Sequence, residues 1–311
     1  VILVCGFRTL GLPAVMAARR FGKACILRAE CVGEMSGGYA SAYSRLPRGI
    51  DEGFRRWIGM RNRALIQADA YVAINDSIAR EFEECGADPS RVVRIPNGID
   101  TGRFLPADAS ERLALRVRLG LPLDKSVVVY TGKLNQGKGL EYLLHAWDLI
   151  TTERKDVHLL LVGAGSGQSL SREDDLRRMT RERGMEDFIT FTGYVHNTHE
   201  YLQASDLFVL PSENEALPMC VLEAMACGLP AVGTRVGGIP EIIRDEENGL
   251  LIEPREPKAI ERAICDSLDN PSFAGSLAEA GRSTVRSRYC IGPVSERYRE
   301  LFESVRPRGR A

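Results

Sequence analysis

Short apolar runs alternate with longer amphipathic stretches along nearly the whole chain. Val1 to Cys5 reads as a strand, Leu12 to Phe21 as a helix and Ala24 to Arg28 as the next strand. Arg55 to Ala68 predicts a helix, Tyr71 to Ile74 a strand, Ser77 to Cys85 a helix and Val92 to Ile95 a short strand. Pro96-Asn97-Gly98-Ile99-Asp100 is turn chemistry, and Pro106 to Ser110 prolongs the polar stretch. Glu111 to Leu119 predicts a helix with Ser110 as its N-cap. The alternation then restarts. Val127 to Thr131, His158 to Val162, Phe188 to Phe191, Leu207 to Leu210, Ala231 to Thr234 and Leu250 to Ile252 predict strands. Leu140 to Ile150, Asp174 to Arg183, Thr198 to Gln203, Met219 to Ala226, Pro240 to Arg244 and Pro257 to Leu268 predict the helices among and after them, and Ser272 to Arg288 and Ser295 to Val305 close the chain. Strands alternating with helices predict α/β architecture with parallel sheets covered on both faces. The break near residue 100 divides the chain into a domain over 1–104, a second over 105–290, and a closing helix over 291–311 that packs back on the first.

Composition narrows the function classes. A length of 311 residues is too great for one small core and fits about two domains. The 41 basic and 42 acidic side chains give no general case for nucleic-acid binding. No apolar run approaches the ~20 residues that span a bilayer. The eight cysteines form no C-x-x-C pair, which favours free thiols in a reducing cytoplasm over a disulfide scaffold. His196 and His199 have metal-like spacing, but no Cys or acidic cluster completes a metal site. The chain begins inside an apolar run at Val1, which reads as a start in mid-protein.

Chemistry is sought in the loops beyond the strands' carboxyl ends. After the strand ending at Thr131 comes Gly132-Lys133-Leu134-Asn135-Gln136-Gly137-Lys138-Gly139. Glycine permits close backbone approach, the lysines supply charge and the following helix start supplies N–H groups, a combination suited to a phosphate or diphosphate. The spacing is not that of a Walker loop. A solvated turn with surface lysines is the alternative. After Val162 comes Gly163-Ala164-Gly165-Ser166-Gly167, which lacks G-x-G-x-x-G spacing and argues against a nicotinamide cofactor. After Leu210, the stretch from Pro211 to Gly228 carries Glu215 before a helix start marked by Pro218, and Glu223 inside that helix. Glu223 sits among Val221, Leu222, Ala224 and Met225, a poor setting for an unpaired carboxylate. Either a ligand's hydroxyl pair satisfies it, or an arginine or solvent does.

Glu215 and Glu223 form an E-x7-E pair in a segment that resembles the signature of retaining GT-B glycosyltransferases, in particular glycosyltransferase family 4 (group 1). Five further stretches fit the same family in order. These are Ile95-Pro96-Asn97-Gly98-Ile99-Asp100 with Phe104, Gly132-Lys133-Leu134 with Lys138-Gly139, Val162-Gly163-Ala164-Gly165, Phe191-Thr192-Gly193-Tyr194, and Gly237-Gly238-Ile239-Pro240-Glu241 followed by Asn248-Gly249. The similarity covers residues 70–290. It implies two doubly wound Rossmann-like domains facing a cleft, and transfer of a sugar from a nucleotide-sugar donor (UDP- or GDP-sugar) to a glycan or lipid-linked acceptor with retention at the anomeric carbon. By the same resemblance Lys133 and Lys138 hold the donor diphosphate, Glu223 meets the ribose hydroxyls and Glu215 the donor sugar. Gly132 and the Ala216-Leu217-Pro218-Met219 stretch border the diphosphate, and Gly163, Gly165, Gly193 and Tyr194 line the base pocket. No metal and no further cofactor is implied.

The sequence departs from the family at a few positions. Lys133 stands where arginine is commoner, keeping charge but losing a bidentate fork. Ala216 stands where glycine is common. Glu30 aligns with a strand end where many relatives carry an active-site histidine, so it is the candidate for that role, or else a solvent-facing carboxylate. The opening strands and Gly-rich loop of the family's N-terminal domain are expected to be missing, Val1 resembling a later strand. Arg45, Arg48, Arg55, Arg56, Arg61 and Arg63 cluster around Trp57. They read either as a solvated helix face with Trp57 packed inward, or as a surface for acceptor phosphate or peripheral contact with an anionic membrane. The location expected is the cytoplasm or the inner membrane face. Two other readings stand beside an active transferase: a nucleotide-sugar-binding remnant, and a GT-B sugar-nucleotide epimerase.

Overall fold

A computed structural model describes residues 1–38, 48–168 and 170–305. The chain divides into two compact units, one made of Val1–Gly98 with Gly292–Ala311 and the other of Ile99–Ile291.

The first unit is a four-stranded parallel sheet in the order β1-β2-β3-β4, with β1 at Ile2–Cys5, β2 at Cys25–Arg28, β3 at Ala70–Ala73 and β4 at Val92–Arg94. Its helices are α1 (Gly11–Arg20), α2 (Arg48–Leu65) and α3 (Asp76–Glu84). Helix α2 begins seven residues before the predicted Arg55, because Gly49 and Gly53 lower local propensity without preventing the helix. Asn75 caps α3 by accepting the Ile78 N–H at 2.8 Å. The last helix of the chain, Ile291–Ser304, sends Val294 and Leu301 into one core with Ile26, Ala70, Val72 and Ile95.

The second unit is a six-stranded parallel sheet in the order β10-β9-β8-β5-β6-β7. Its strands are β5 (Ser126–Thr131), β6 (Val157–Val162), β7 (Ile189–Gly193), β8 (Leu207–Leu210), β9 (Ala231–Thr234) and β10 (Leu250–Ile252). Strands β5, β6 and β8 are buried almost throughout, as strands covered on both faces must be. The helices are α4 (Ala109–Leu119), α5 (Leu140–Glu153), α6 (Glu173–Glu182), α7 (Thr198–Gln203), α8 (Met219–Ala226), α9 (Ile239–Ile242), α10 (Pro257–Asp269) and α11 (Pro271–Arg288), and the chain's last helix is α12. Ser110 does not cap α4. Asp108 does: its carboxylate accepts the Ser110 and Glu111 N–H groups at 2.8 Å each, and Glu111 returns a bond to the Asp108 N–H. A carboxylate two residues upstream outcompetes the serine because Glu111 falls where a capping box needs it.

Candidate functional site

The six-stranded sheet reverses its winding between β5 and β8, and ligands of open parallel sheets sit beyond the carboxyl ends at such a reversal. A cavity of about 420 Å³ opens there. Its walls include Thr131 at the end of β5 with Gly132, Lys133 and Lys138 beyond it, Val162 at the end of β6 with Gly163, Ala164 and Gln168 beyond it, and Tyr194, Val195 and Thr198 after β7. Glu215, Pro218, Met219, Cys220 and Glu223, around the start of α8, complete it.

Two glycines let these loops meet. Gly163 (φ 139°) lies so close to the Gly132 carbonyl that a Cβ would sit 1.9 Å from its oxygen. Gly139, the N-cap of α5 (φ 65°), presses equally closely on the Pro211 carbonyl. Any side chain at either position would push the lysine loop away from its neighbours.

Lys138 and Glu215, 77 residues apart in sequence, meet at 2.6 Å, and the Ser212 hydroxyl donates to the same Glu215 oxygen at 2.8 Å. Lys133 is exposed on the cavity wall. Glu223 is half-buried, and among the described residues no side chain pairs or hydrogen-bonds with its carboxyl. Burial pushes that carboxyl above its ordinary range, and the positive charge of Arg103 offsets the shift only in part. Burial likewise pushes the Tyr130 phenol up, as it does the Cys220 thiol beside the Glu215 and Glu223 charges. The first-turn N–H groups of Met219 and Cys220 occupy positions for which an α-helix provides no internal acceptor.

The remaining sequence candidates divide. Tyr194 is largely exposed on the cavity wall, edge-on to His196 with ring centroids 4.9 Å apart. Gly165, Gly193, Ala216 and Leu217 are not among the lining residues. Gly165 backs the loop, its N–H donating to Glu173 at 2.8 Å, and Gly193 accepts the Gly163 N–H at 3.1 Å. Glu30 belongs to the other unit, where it forms an ion pair with Arg28 at 2.9 Å. The arginine cluster is not one surface: Arg61 is buried and donates to the Glu34 and Met35 carbonyls, while Arg56, Arg63 and Trp57 are exposed. Arg45 and the side chains of Arg48 and Arg55 lie outside the described residues.

Two residues of the site carry no sequence signature. The buried Glu173 carboxylate accepts N–H bonds from Gly165 and Ser166 and pairs with Arg177 at 2.8 Å, holding the loop after β6. Burial alone would raise its pKa, but these donors bring it down to about 2. Arg103 donates to the His196 carbonyl at 2.9 Å, tying the loop that carries Tyr194. Both contacts depend on turns, whose partners no periodicity reveals.

Two parallel α/β units, one with a lysine-edged cavity at its switch point, define the GT-B architecture, and solved structures match it. HepE of Anabaena, crystallised in complex with UDP, superposes with a TM-score of 0.81 over 97% of this chain and 79% of its own, at 18% identity. Residues 125–270 match the family described as Glycosyl transferases group 1, and residues 9–103 match Glycosyltransferase Family 4. The chain therefore carries glycosyltransferase group 1 and family 4 domains on a GT-B fold. Among curated relatives, D-inositol 3-phosphate glycosyltransferase 2 of Catenulispora acidiphila is 32% identical over 75% of this chain and 59% of its own length. D-inositol 3-phosphate glycosyltransferase of Streptomyces avermitilis is 30% identical over 70% of this chain and 46% of its own. The chain thus spans about half the length of the curated relatives it matches. No helix among the described residues is long and apolar enough to cross a membrane.

Proposed function

We propose that this protein transfers a sugar from a nucleotide-sugar donor to a glycan or lipid-linked acceptor, with retention at the anomeric carbon. The observation that carries the reading is the cavity itself. It has a cationic edge of Lys133 and Lys138, a half-buried carboxylate at Glu223 without a side-chain partner among the described residues, and the first amides of α8 beside them. The lysines and amides match a diphosphate, and the carboxylate matches a pair of ribose hydroxyls. HepE, of the same fold, has been crystallised with UDP and with UDP-glucose, which favours a uridine donor.

In the transfer, the bond from the anomeric carbon to the diphosphate oxygen breaks. A bond to the acceptor oxygen forms on the same face, and the acceptor's hydroxyl proton leaves with the diphosphate. Lys138 keeps one N–H on Glu215 and has two left for the departing phosphate. Lys133 adds the second charge, so the growing negative charge is met by side chains already in place, without a metal ion. Glu215 orients the donor sugar, and Glu30 is the candidate for the role of the active-site histidine that many relatives carry. The reaction is placed in the cytoplasm or at the inner membrane face, which suits eight free thiols. The relatives named D-inositol 3-phosphate glycosyltransferase favour a second acceptor class, a phosphorylated polyol.

Sugar transfer from UDP-glucose, followed by chromatography of the products against a panel of both acceptor classes, tests this reading. Lys138→Ala and Glu223→Ala should each lower turnover by about 10²-fold or more. Near-normal turnover in either variant would contradict the assignment. UDP binding without transfer would indicate a binding remnant, and a 2-epimer product an epimerase.

A further inference from the structure

A second cavity, of about 370 Å³, opens elsewhere in the Ile99–Ile291 unit, with Arg282, Arg286, Thr101, Phe104, Leu105 and Ala226 on its walls. Arg282 and Arg286 are four residues apart on α11, so their side chains leave the same face. Several other arginines of this unit close on carboxylates: Arg116 on Asp206 at 2.5 Å, Arg154 on Asp156 at 2.9 Å and Arg235 on Asp245 at 2.8 Å. Among the described residues, Arg282 and Arg286 make no ion pair and no side-chain hydrogen bond. Two like charges on adjacent helical turns repel, and an anion between them would relieve that repulsion. The neighbouring Asp100 does not supply it, since its carboxylate accepts the Gly102 and Arg103 N–H groups of its own turn at 2.9 and 3.3 Å.

Apart from Thr101 and Gly102 the rest of the wall is apolar, with Phe104 and Ala226 buried and Leu105 exposed. A bare phosphate would leave most of this volume empty. We propose that this cavity binds a small phosphate monoester whose body is aromatic or apolar. The two guanidinium forks match the charge and the several acceptor oxygens of a phosphate dianion, and Phe104, Leu105 and Ala226 cover the body. The site is separate from the donor cavity. Met219, Cys220 and Glu223 of α8 line the donor cavity, whereas Ala226, three residues beyond Glu223, lines this one, and the two cavities share no lining residue. The inference does not depend on the transferase reading.

Phenyl phosphate titrated into the full chain by calorimetry tests it, with inorganic phosphate and phenol as controls. Phenyl phosphate should bind at least ~10-fold more tightly than inorganic phosphate, and phenol should give no saturable heat. Arg282→Gln/Arg286→Gln should weaken phenyl phosphate at least ~10-fold, and Arg286→Gln alone should weaken it in the same direction. Lys133→Gln/Lys138→Gln, altered only in the donor cavity, should leave it unchanged. The proposal fails if the wild-type chain takes no phenyl phosphate, if the arginine variants keep it, or if the lysine variant loses it.

Discussion

Glu223 is the residue at which stability and the proposed ligand role pull apart. Its carboxyl is raised by burial among apolar neighbours and only partly relieved by Arg103. The unfolded chain holds the ionised form more readily than the folded one. Ionised Glu223 therefore subtracts stability at neutral pH, and that cost shrinks as pH falls below its raised pKa and is gone below the ordinary 4.5. Glu223→Gln keeps the shape and removes the charge. It should raise the stability of the empty protein by about 0.5–1 kcal/mol, or about 1–4 °C in Tm, while weakening UDP at least ~10-fold. Paired calorimetric melts and UDP titrations check both halves, and a variant that loses stability as well would assign Glu223 a structural role instead. Lys138 and Glu215 show the opposite case, functional candidates that already satisfy each other at 2.6 Å. Their pairing was hidden in the sequence because 77 residues and three strands intervene.

At the scale of elements, the loop after β6 owes its shape to one carboxylate. Glu173 is 5% exposed and gathers the Gly165 and Ser166 N–H groups and Arg177. Its carboxyl lies at about 2 when folded against an ordinary 4.5. The stability it contributes is present above pH 4.5 and is lost as pH falls from there toward 2. Glu173→Ala should cost about 1–3 kcal/mol at neutral pH and raise KM for the donor with kcat largely spared, because the wall moves while Lys138 stays. A fall in kcat at unchanged KM would refute that role. The strands themselves were largely legible, because doubly covered parallel strands read as unbroken apolar runs: Leu207–Leu210, Ala231–Thr234 and Leu250–Ile252 have their predicted ends. Helix ends were less so. The cap of α4 fell on Asp108, where Glu111 completes a capping box, and α2 ran through Gly49 and Gly53, whose weak local preference did not stop it. The glycine-rich loops press on backbone carbonyls, Gly163 on Gly132 and Gly139 on Pro211, contacts that the sequence does not name. Which glycines face the cavity and which back it depends on contacts between loops that only the fold brings together.

At the scale of the whole molecule, the two units differ in how the chain builds them. Ile99–Ile291 is continuous and holds every residue of the donor cavity. The other unit is discontinuous: its sheet comes from Val1–Gly98, but part of its core comes from the chain's last helix. Leu301 and Val294 pack against Ile26, Val72 and Ile95, while Val93, Tyr298, Phe302 and Val305 flank them. Leu301 is 7% exposed, so truncating it to alanine removes buried methyl groups in a place the sheet cannot collapse to fill. Leu301→Ala should cost about 2–5 kcal/mol, confined to the discontinuous unit. Hydrogen exchange read segment by segment should then quicken in β2 and β3, whose Ile26 and Val72 lose a neighbour, although these strands lie more than two hundred residues away in sequence. UDP affinity should stay at the wild-type value, because no residue of the donor cavity belongs to that unit. Exchange that quickens only within the last helix would mean the helix rests on the sheet without holding it. A matching loss of UDP affinity would mean that the two units share their stability despite their separate cores.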